Sequence, residues 1–288
     1  MELLEYNPEA IKIDDSIVLN YVRAGSGPAL IFIHGAMGDW RSWSPQWQLF
    51  TSYFDCISYS RRFSYPNPNP MNSYQHNALV DARDLEALMN QLGIEQAILV
   101  GSSYGGFTAL ALAVQAPERV TAVVSVEAPM MRYAQDSPKG ASITKEFIAK
   151  SARPAREAFE RGDDKTGVML LTGGIVGKNV EDIPPEVLKR RMLNATAARS
   201  LALSEDEFPM LAKDCLASLT MPVMLISGAD TAPIHAAIFE AVCAAMPKAH
   251  TCIVNNSGHA VSQQQSDTFN REVITFLASS GLTESTSS

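Results

Sequence analysis

The sequence predicts an α/β fold, a mostly parallel central sheet with helices on both faces and a helical insertion. Three observations carry that reading. From residue 29 to about 129, continuous apolar runs alternate with helix-patterned runs, the order that a parallel sheet with crossover helices requires. The alternation returns at "PVMLISG" (222–228) and lasts almost to the C-terminus. Between 130 and 215 the structured runs favour helix and no strand-like run intervenes.

The elements follow in order. "AIKIDDSIVLNYVRAG" (10–25) reads as two strands with "DDS" as their hairpin turn, and "GSGP" (25–28) as a second turn. "ALIFI" (29–33) is a strand buried on both faces. "DWRSWSPQWQLFTSY" (39–53) spaces its aromatics near a helical period, and "DCISYS" (55–60) is a strand. "RRFSYPNPNPMNSY" (61–74) is too rich in proline and asparagine for anything but loop. Leu79, Leu85, Leu88, Met89 and Leu92 give 75–93 an amphipathic helical face, and Gly93 stops it. "QAILVG" is a strand, "GFTALALAVQAPERV" a helix ending near Pro117, and "TAVVSV" a strand. Helices are expected over 143–162, 184–203 and 205–219. Beyond them "APIHAAIFEAVCAAMP" and "SDTFNREVITFLASS" are helices flanking the strand "HTCIVNN". The resulting division is a core of 1–129 with 216–280, a helical insertion at 130–215, and a flexible tail at 281–288.

Composition narrows the function classes. The chain of 288 residues is 46% hydrophobic and 19% charged, a globular composition with enough apolar material for a sizeable core. A net charge of −8 gives no electrostatic reason to expect nucleic acid or an anionic membrane as partner. No apolar run reaches the roughly 18–20 residues of a membrane span, and "MELLEYNPEAIKIDD" lacks the pattern of a signal peptide. Cys56, Cys215, Cys243 and Cys252 form no CxxC pair and read as reduced thiols of a cytoplasmic protein. No closely spaced ligand set suggests a metal.

"ILVGSSYGG" (98–106) is the stretch with chemical content. A serine hydroxyl attacks a carbonyl only if a base takes its proton and the oxyanion is stabilised. A strand turning abruptly into a helix lifts a side chain above the sheet edge and offers free N–H groups at the helix start. Small residues must flank such a bend. Centring on Ser103 places Gly101 and Gly105 two residues away, whereas centring on Ser102 would place Val100 and Tyr104 there. Ser103 is the nucleophile of this frame, in a G-x-S-x-G turn after a strand and before a helix. Among the five histidines, His259 lies between Gly258 and Ala260 in a loop after the last strand. It suits the chain order Ser, acid, His. His34 reads as structural, His76 and His235 as surface or core residues, and His250 as the start of a strand.

With these motifs the chain resembles the α/β-hydrolase superfamily. "GPALIFIHGAMGDWRSW" looks like that family's third strand and oxyanion loop, "NNSGHAV" like its histidine loop, and 130–215 corresponds to its helical cap. The resemblance implies a Ser-His-acid triad, with the N–H groups of Ala36 and Tyr104 as the oxyanion hole. In the usual pattern the acid stands three residues after a glycine that ends the strand before the histidine. Here that position is Thr231, and Asp230 comes one residue early. Some lineages place the acid after the strand that follows the nucleophile's helix, where this chain has Glu127. Glu127 is therefore the preferred acid and Asp230 the alternative. The loop after the fourth strand also departs from the family, with "SYSRRFSYPNPNP" in place of an aspartate and glycines.

A serine argues against the branches of the family that need an aspartate nucleophile. The expected reaction is hydrolysis of a carboxylic ester or lactone through an acyl-enzyme, with no metal or organic cofactor. Met37, Met130, Met131 and Tyr133 are candidates for an apolar substrate pocket. Two alternatives remain at this point. One is a carbon–carbon bond hydrolase of a vinylogous keto acid, with Arg61 or Arg62 holding the substrate carboxylate. The other is a ligand-binding protein on this fold with little turnover. A small-molecule partner is implied, in a monomer or homodimer.

Overall fold

The computed structural model describes residues 1–283, so the expected tail at 281–288 lies largely outside the described residues. Eight strands form one sheet in the order β1-β2-β4-β3-β5-β6-β7-β8. They are β1 (Glu9–Lys12), β2 (Val18–Ala24), β3 (Ala29–Ile33), β4 (Asp55–Tyr59), β5 (Ala97–Ser102), β6 (Val120–Val126), β7 (Val223–Gly228) and β8 (His250–Val254). Only the β1–β2 and β2–β4 pairs are antiparallel; every later pairing is parallel.

Around the sheet lie α1 (Ser44–Phe50), α2 (Ala78–Gln91) and α3 (Tyr104–Gln115), and later α11 (Pro233–Ala245), α12 (Val261–Gln264) and α13 (Ser266–Ser279). Between β6 and β7 stand α4 (Met131–Ala134), α5 (Pro138–Phe147), α6 (Arg153–Glu160), α7 (Asp164–Val176), α8 (Pro185–Met192), α9 (Ala195–Ala202) and α10 (Lys213–Ala217).

Strand β3 shows how the apolar runs were to be read. Ile31 and Ile33 enter the core with α2, α3 and α11, while Leu30 and Phe32 enter the opposite core with Trp43, Trp47, Phe50 and Phe269. A strand covered on both faces needs apolar side chains at every position. A third, smaller cluster lies within the β6–β7 helices, where Phe159, Val168, Ala198 and Leu203 pack around Met37 from the loop after β3.

Two local expectations are corrected. The helix α7 was not anticipated, because Gly167, Gly173 and Gly174 lower its helical propensity. Those glycines serve packing: a Cβ on Gly174 would lie 2.0 Å from Ser151 Oγ, and one on Gly167 would lie 2.6 Å from the Phe159 ring. Conversely, most of 205–219 is not helical, and only Lys213–Ala217 coils. Its backbone carbonyls are taken by core side chains instead, with Asn77 Nδ2 donating to Asp206 O, Tyr104 Oη to Glu207 O and Tyr133 Oη to Leu211 O.

The asparagines of "PNPNP" (66–70) explain the divergent loop after β4. Asn67 Oδ1 accepts from Asn20 N at 2.8 Å, and Asn69 exchanges bonds with both Val18 N and Val18 O at 2.9 and 2.8 Å. Side-chain amides here satisfy the backbone of β2 that no further strand reaches.

Candidate active site

The site lies at the C-terminal ends of β3, β5, β6 and β7. At the end of β5 the chain turns sharply into α3 through Ser103, whose φ of 54° is sterically costly for a residue with a Cβ. The turn is held by Ser103 N donating to Val126 O at 2.7 Å. Glycine is obligatory around it. A Cβ on Gly101 would stand 2.2 Å from Gly105 O, and one on Gly105 would stand 2.0 Å from Ile33 O.

Glu127, at the end of β6, has the second strained backbone, with φ of 44°. Its N–H donates to Ile226 O at 3.0 Å, so β7 fixes the bend. The carboxylate is buried and fully engaged. Oε1 accepts from Ser227 Oγ at 2.8 Å and Gly228 N at 2.9 Å; Oε2 accepts from Thr231 Oγ1 at 2.9 Å and is 2.6 Å from His259 Nδ1. Burial alone would raise its pKa, but the His259 hydrogen bond and the charge on that ring bring it down to about 2. Thr231, at the position where the family usually has its acid, thus holds the acid that β6 provides. Asp230 is exposed, and its side chain makes no hydrogen bond among the described residues.

His259 and Ser103 line one cavity of about 190 Å³, together with His34, Gly35, Ala36, Met37, Trp43 and Ile175. With Nδ1–H donated to Glu127, the imidazole keeps Nε2 as its free base. The N–H groups of Ala36 and Tyr104 donate to no acceptor among the described residues, and Tyr104 opens the 12-residue helix α3 with its dipole end at Ser103. The arrangement supplies a hydroxyl at a helix start, an imidazole with a committed carboxylate, and two free N–H donors.

His235, on α11, was read as an ordinary surface or core residue, and the structure adds a specific contact. Its ring stacks on His259 with centroids 3.9 Å apart and planes at 25°. Its Nε2 lies 3.0 Å from Ile175 O, at the end of α7, which makes Nε2 the protonated nitrogen of a neutral ring. Burial, with the His259 charge adding to it, pushes the His235 pKa down to about 3. Donor atoms of Glu127, His235 and His259 lie within 4.8 Å of one another, the spacing of a candidate metal site. Both Glu127 oxygens and His259 Nδ1 are already hydrogen-bonded, whereas His235 Nδ1 is buried with its lone pair unpartnered.

Three of the expected pocket residues lie elsewhere. Met130, Met131 and Tyr133 do not line the cavity of Ser103; after Glu127 the chain folds back through close turns and buries them in the core on the α2, α3 and α11 side. Of the proposed pocket residues, Met37 alone lines it. Arg61 is buried in an ion pair with Asp81, its guanidinium over the Tyr104 ring, and Arg62 pairs with Asp84 at 2.5 Å. Neither lines the cavity. Buried His34 accepts from Arg61 N at 2.9 Å, and its other nitrogen lies 2.8 Å from Gly35 O, which shapes the loop before Ala36.

The cavity's far wall was missed in the sequence. Val187, Arg190 and Arg191 of α8 line it. One signal was available: Arg191 has no acidic residue three or four positions away on its helix.

Comparison with known proteins agrees with the fold. The family model described as alpha/beta hydrolase fold matches residues 28–263. Carboxylesterase YbfK of Bacillus subtilis is 27% identical over 261 residues, 87% of this chain and 80% of that protein. Its crystal structure superposes with a TM-score of 0.69 at 24% identity, covering 96% of this chain and 94% of that one. The 2-hydroxy-6-oxo-6-phenylhexa-2,4-dienoate hydrolase of Comamonas testosteroni is 26% identical over 90% of this chain and 91% of its own length. Bifunctional epoxide hydrolase 2 of Sus scrofa is 30% identical over 122 residues, 42% of this chain but only 22% of that much longer protein. The relatives are enzymes that share a scaffold and differ in the bond they break. On its sheet order, its strand-to-helix serine turn and this family match, the chain belongs to the alpha/beta hydrolase fold family.

Proposed function

We propose that the protein is a serine hydrolase of a carboxylic ester or lactone, with Ser103 as nucleophile, His259 as general base and Glu127 as the acid of the triad. The observation that carries this reading is the Glu127 carboxylate 2.6 Å from His259 Nδ1, with Ser103 on the wall of the same cavity. Ser103 Oγ attacks the carbonyl carbon while His259 Nε2 takes its proton, and the ionised Glu127 stabilises the imidazolium. The N–H groups of Ala36 and Tyr104 receive the oxyanion. The imidazolium then protonates the leaving alcohol, and water repeats the sequence on the acyl-enzyme. The helices between β6 and β7 act as the cap.

Carboxylesterase YbfK, similar along most of its length, supports the ester reading. An aspartate nucleophile, as the epoxide branch needs, is absent from position 103. Arg61 and Arg62 do not serve the carbon–carbon bond alternative, since both are committed to carboxylates of α2, and the cations that line the cavity are Arg190 and Arg191. The test is hydrolysis of 4-nitrophenyl butyrate with covalent labelling of Ser103 by a fluorophosphonate. Turnover that persists in Ser103→Ala, or labelling at another residue, would refute the assignment.

A further inference from the structure

The arginines of this chain divide sharply by what neutralises them. Among those wholly or partly buried, Arg41 pairs with Asp39, Arg61 with Asp81, Arg62 with Asp84, Arg119 with Glu86 and Arg199 with Asp164. Arg191 has no carboxylate within ion-pair distance among the described residues, and its side chain makes no hydrogen bond there. Its Nη1 is out of contact with solvent and unpartnered. An uncompensated buried cation is costly to a fold, and a guanidinium offers five donors that only acceptors can satisfy. The neighbouring Arg190, exposed on the same helix, adds a second positive charge instead of relieving the first. Burial, and then the Arg190 charge, lower the Arg191 pKa to about 10, which leaves it a cation at neutral pH.

Its place in the molecule gives that cost a use. Arg191 lines the cavity of about 190 Å³ that holds Ser103, His259 and Ala36. A second cavity of about 390 Å³ shares Ser42, Arg190 and Gln263 with it, so Arg190 lines both. Resting on the serine hydrolase reading, we infer that Arg191 is the binding point for a carboxylate carried by the substrate, which is a short ester or lactone bearing an acid group. The planar fork of a guanidinium matches a carboxylate in two parallel hydrogen bonds, and an uncharged acyl chain would leave it unpaired. The small cavity limits the distance between that acid group and the scissile carbonyl to a few bonds.

The test compares 4-nitrophenyl hydrogen glutarate with 4-nitrophenyl valerate, each corrected for spontaneous hydrolysis. The expected KM for the charged ester is about tenfold or more below that for the neutral one, from a charge-assisted hydrogen bond in a dry site. That ratio collapses toward one in Arg191→Gln and is partly kept in Arg191→Lys. An equal ratio in wild type and Arg191→Gln overturns the inference. So does an Arg191→Gln protein that melts well below wild type, because removal of an uncompensated charge should not destabilise. A second readout needs no turnover: calorimetric binding of glutarate to Ser103→Ala, lost in Ser103→Ala/Arg191→Gln. If neither ester is hydrolysed, the ester reading fails, and the calorimetry still decides whether Arg191 holds a carboxylate.

Discussion

The ends of the parallel strands and the helices between β6 and β7 build opposite walls of one cavity by different means. On the strand side, positions are fixed by strained backbone and paired carboxylate. Ser103 and Glu127 both have positive φ, and each is pinned by an N–H donated to the adjacent strand, to Val126 O and Ile226 O. On the helix side, α7 and α8 bring Ile175, Val187 and Arg191 to the cavity on unstrained helix, with glycines of α7 pressed against Ser151 and Phe159 and Ile175 O held by His235 Nε2. The proposed catalytic residues sit on strained backbone on one wall, and the proposed substrate contact comes from helix side chains on the other.

The contrast can be broken most directly at the strand side. Ser103→Ala should reduce kcat on 4-nitrophenyl butyrate by about five to six orders of magnitude, read in a stopped or continuous absorbance assay. Glu127→Gln keeps the shape of the side chain but removes the charge that holds the His259 tautomer, and a loss of about ten-thousand-fold is expected. The matched variant Asp230→Asn should stay within about twofold of wild type, since such an exposed surface change disturbs no partner. A large loss there with a small one in Glu127→Gln would reverse the assignment of the acid.

Changes at the glycines that pack α7 should act through stability. Gly174→Ala forces a Cβ against Ser151 Oγ and Cβ, and overpacking of this kind costs about 1–3 kcal/mol in urea denaturation. His235→Phe probes the joint between the walls. The folded-state pKa of His235 is depressed to about 3, so on acidification the unfolded chain takes the proton first. The stability due to its neutral burial is present above about pH 6.5 and is lost as pH falls toward about 3. Measured against wild type, His235→Phe should therefore gain about 1.4 kcal/mol per pH unit through that window. A pH-independent difference would show that His235 is protonated when folded.

What the sequence made legible follows the same boundary. Gly101-x-Ser103-x-Gly105, the buried runs of β3 and β5, and His259 between small neighbours were readable because each obeys a local rule of sterics or burial. Glu127 as the acid followed from the resemblance to lineages that place it after the strand beyond the nucleophile's helix, not from a local rule. The role of Thr231 was not readable, because donating to an acid on another strand is a tertiary fact with no local signature. Met130, Met131 and Tyr133 look like pocket residues by composition, yet the direction of the chain after Glu127 decides their fate. Helix α7 was hidden for a physical reason: the glycines that weaken its propensity are those that let it pack closely.

The contact between Ile175 O and His235 ties the two walls together. His235 leans flat against His259, the proposed base, and the nitrogen that keeps it in place is bonded to the last turn of α7. Lifting that helix away would strand a buried N–H and free the aromatic backing of His259 at once. On the proposed mechanism, then, the seat of the proton acceptor depends on where the end of α7 lies.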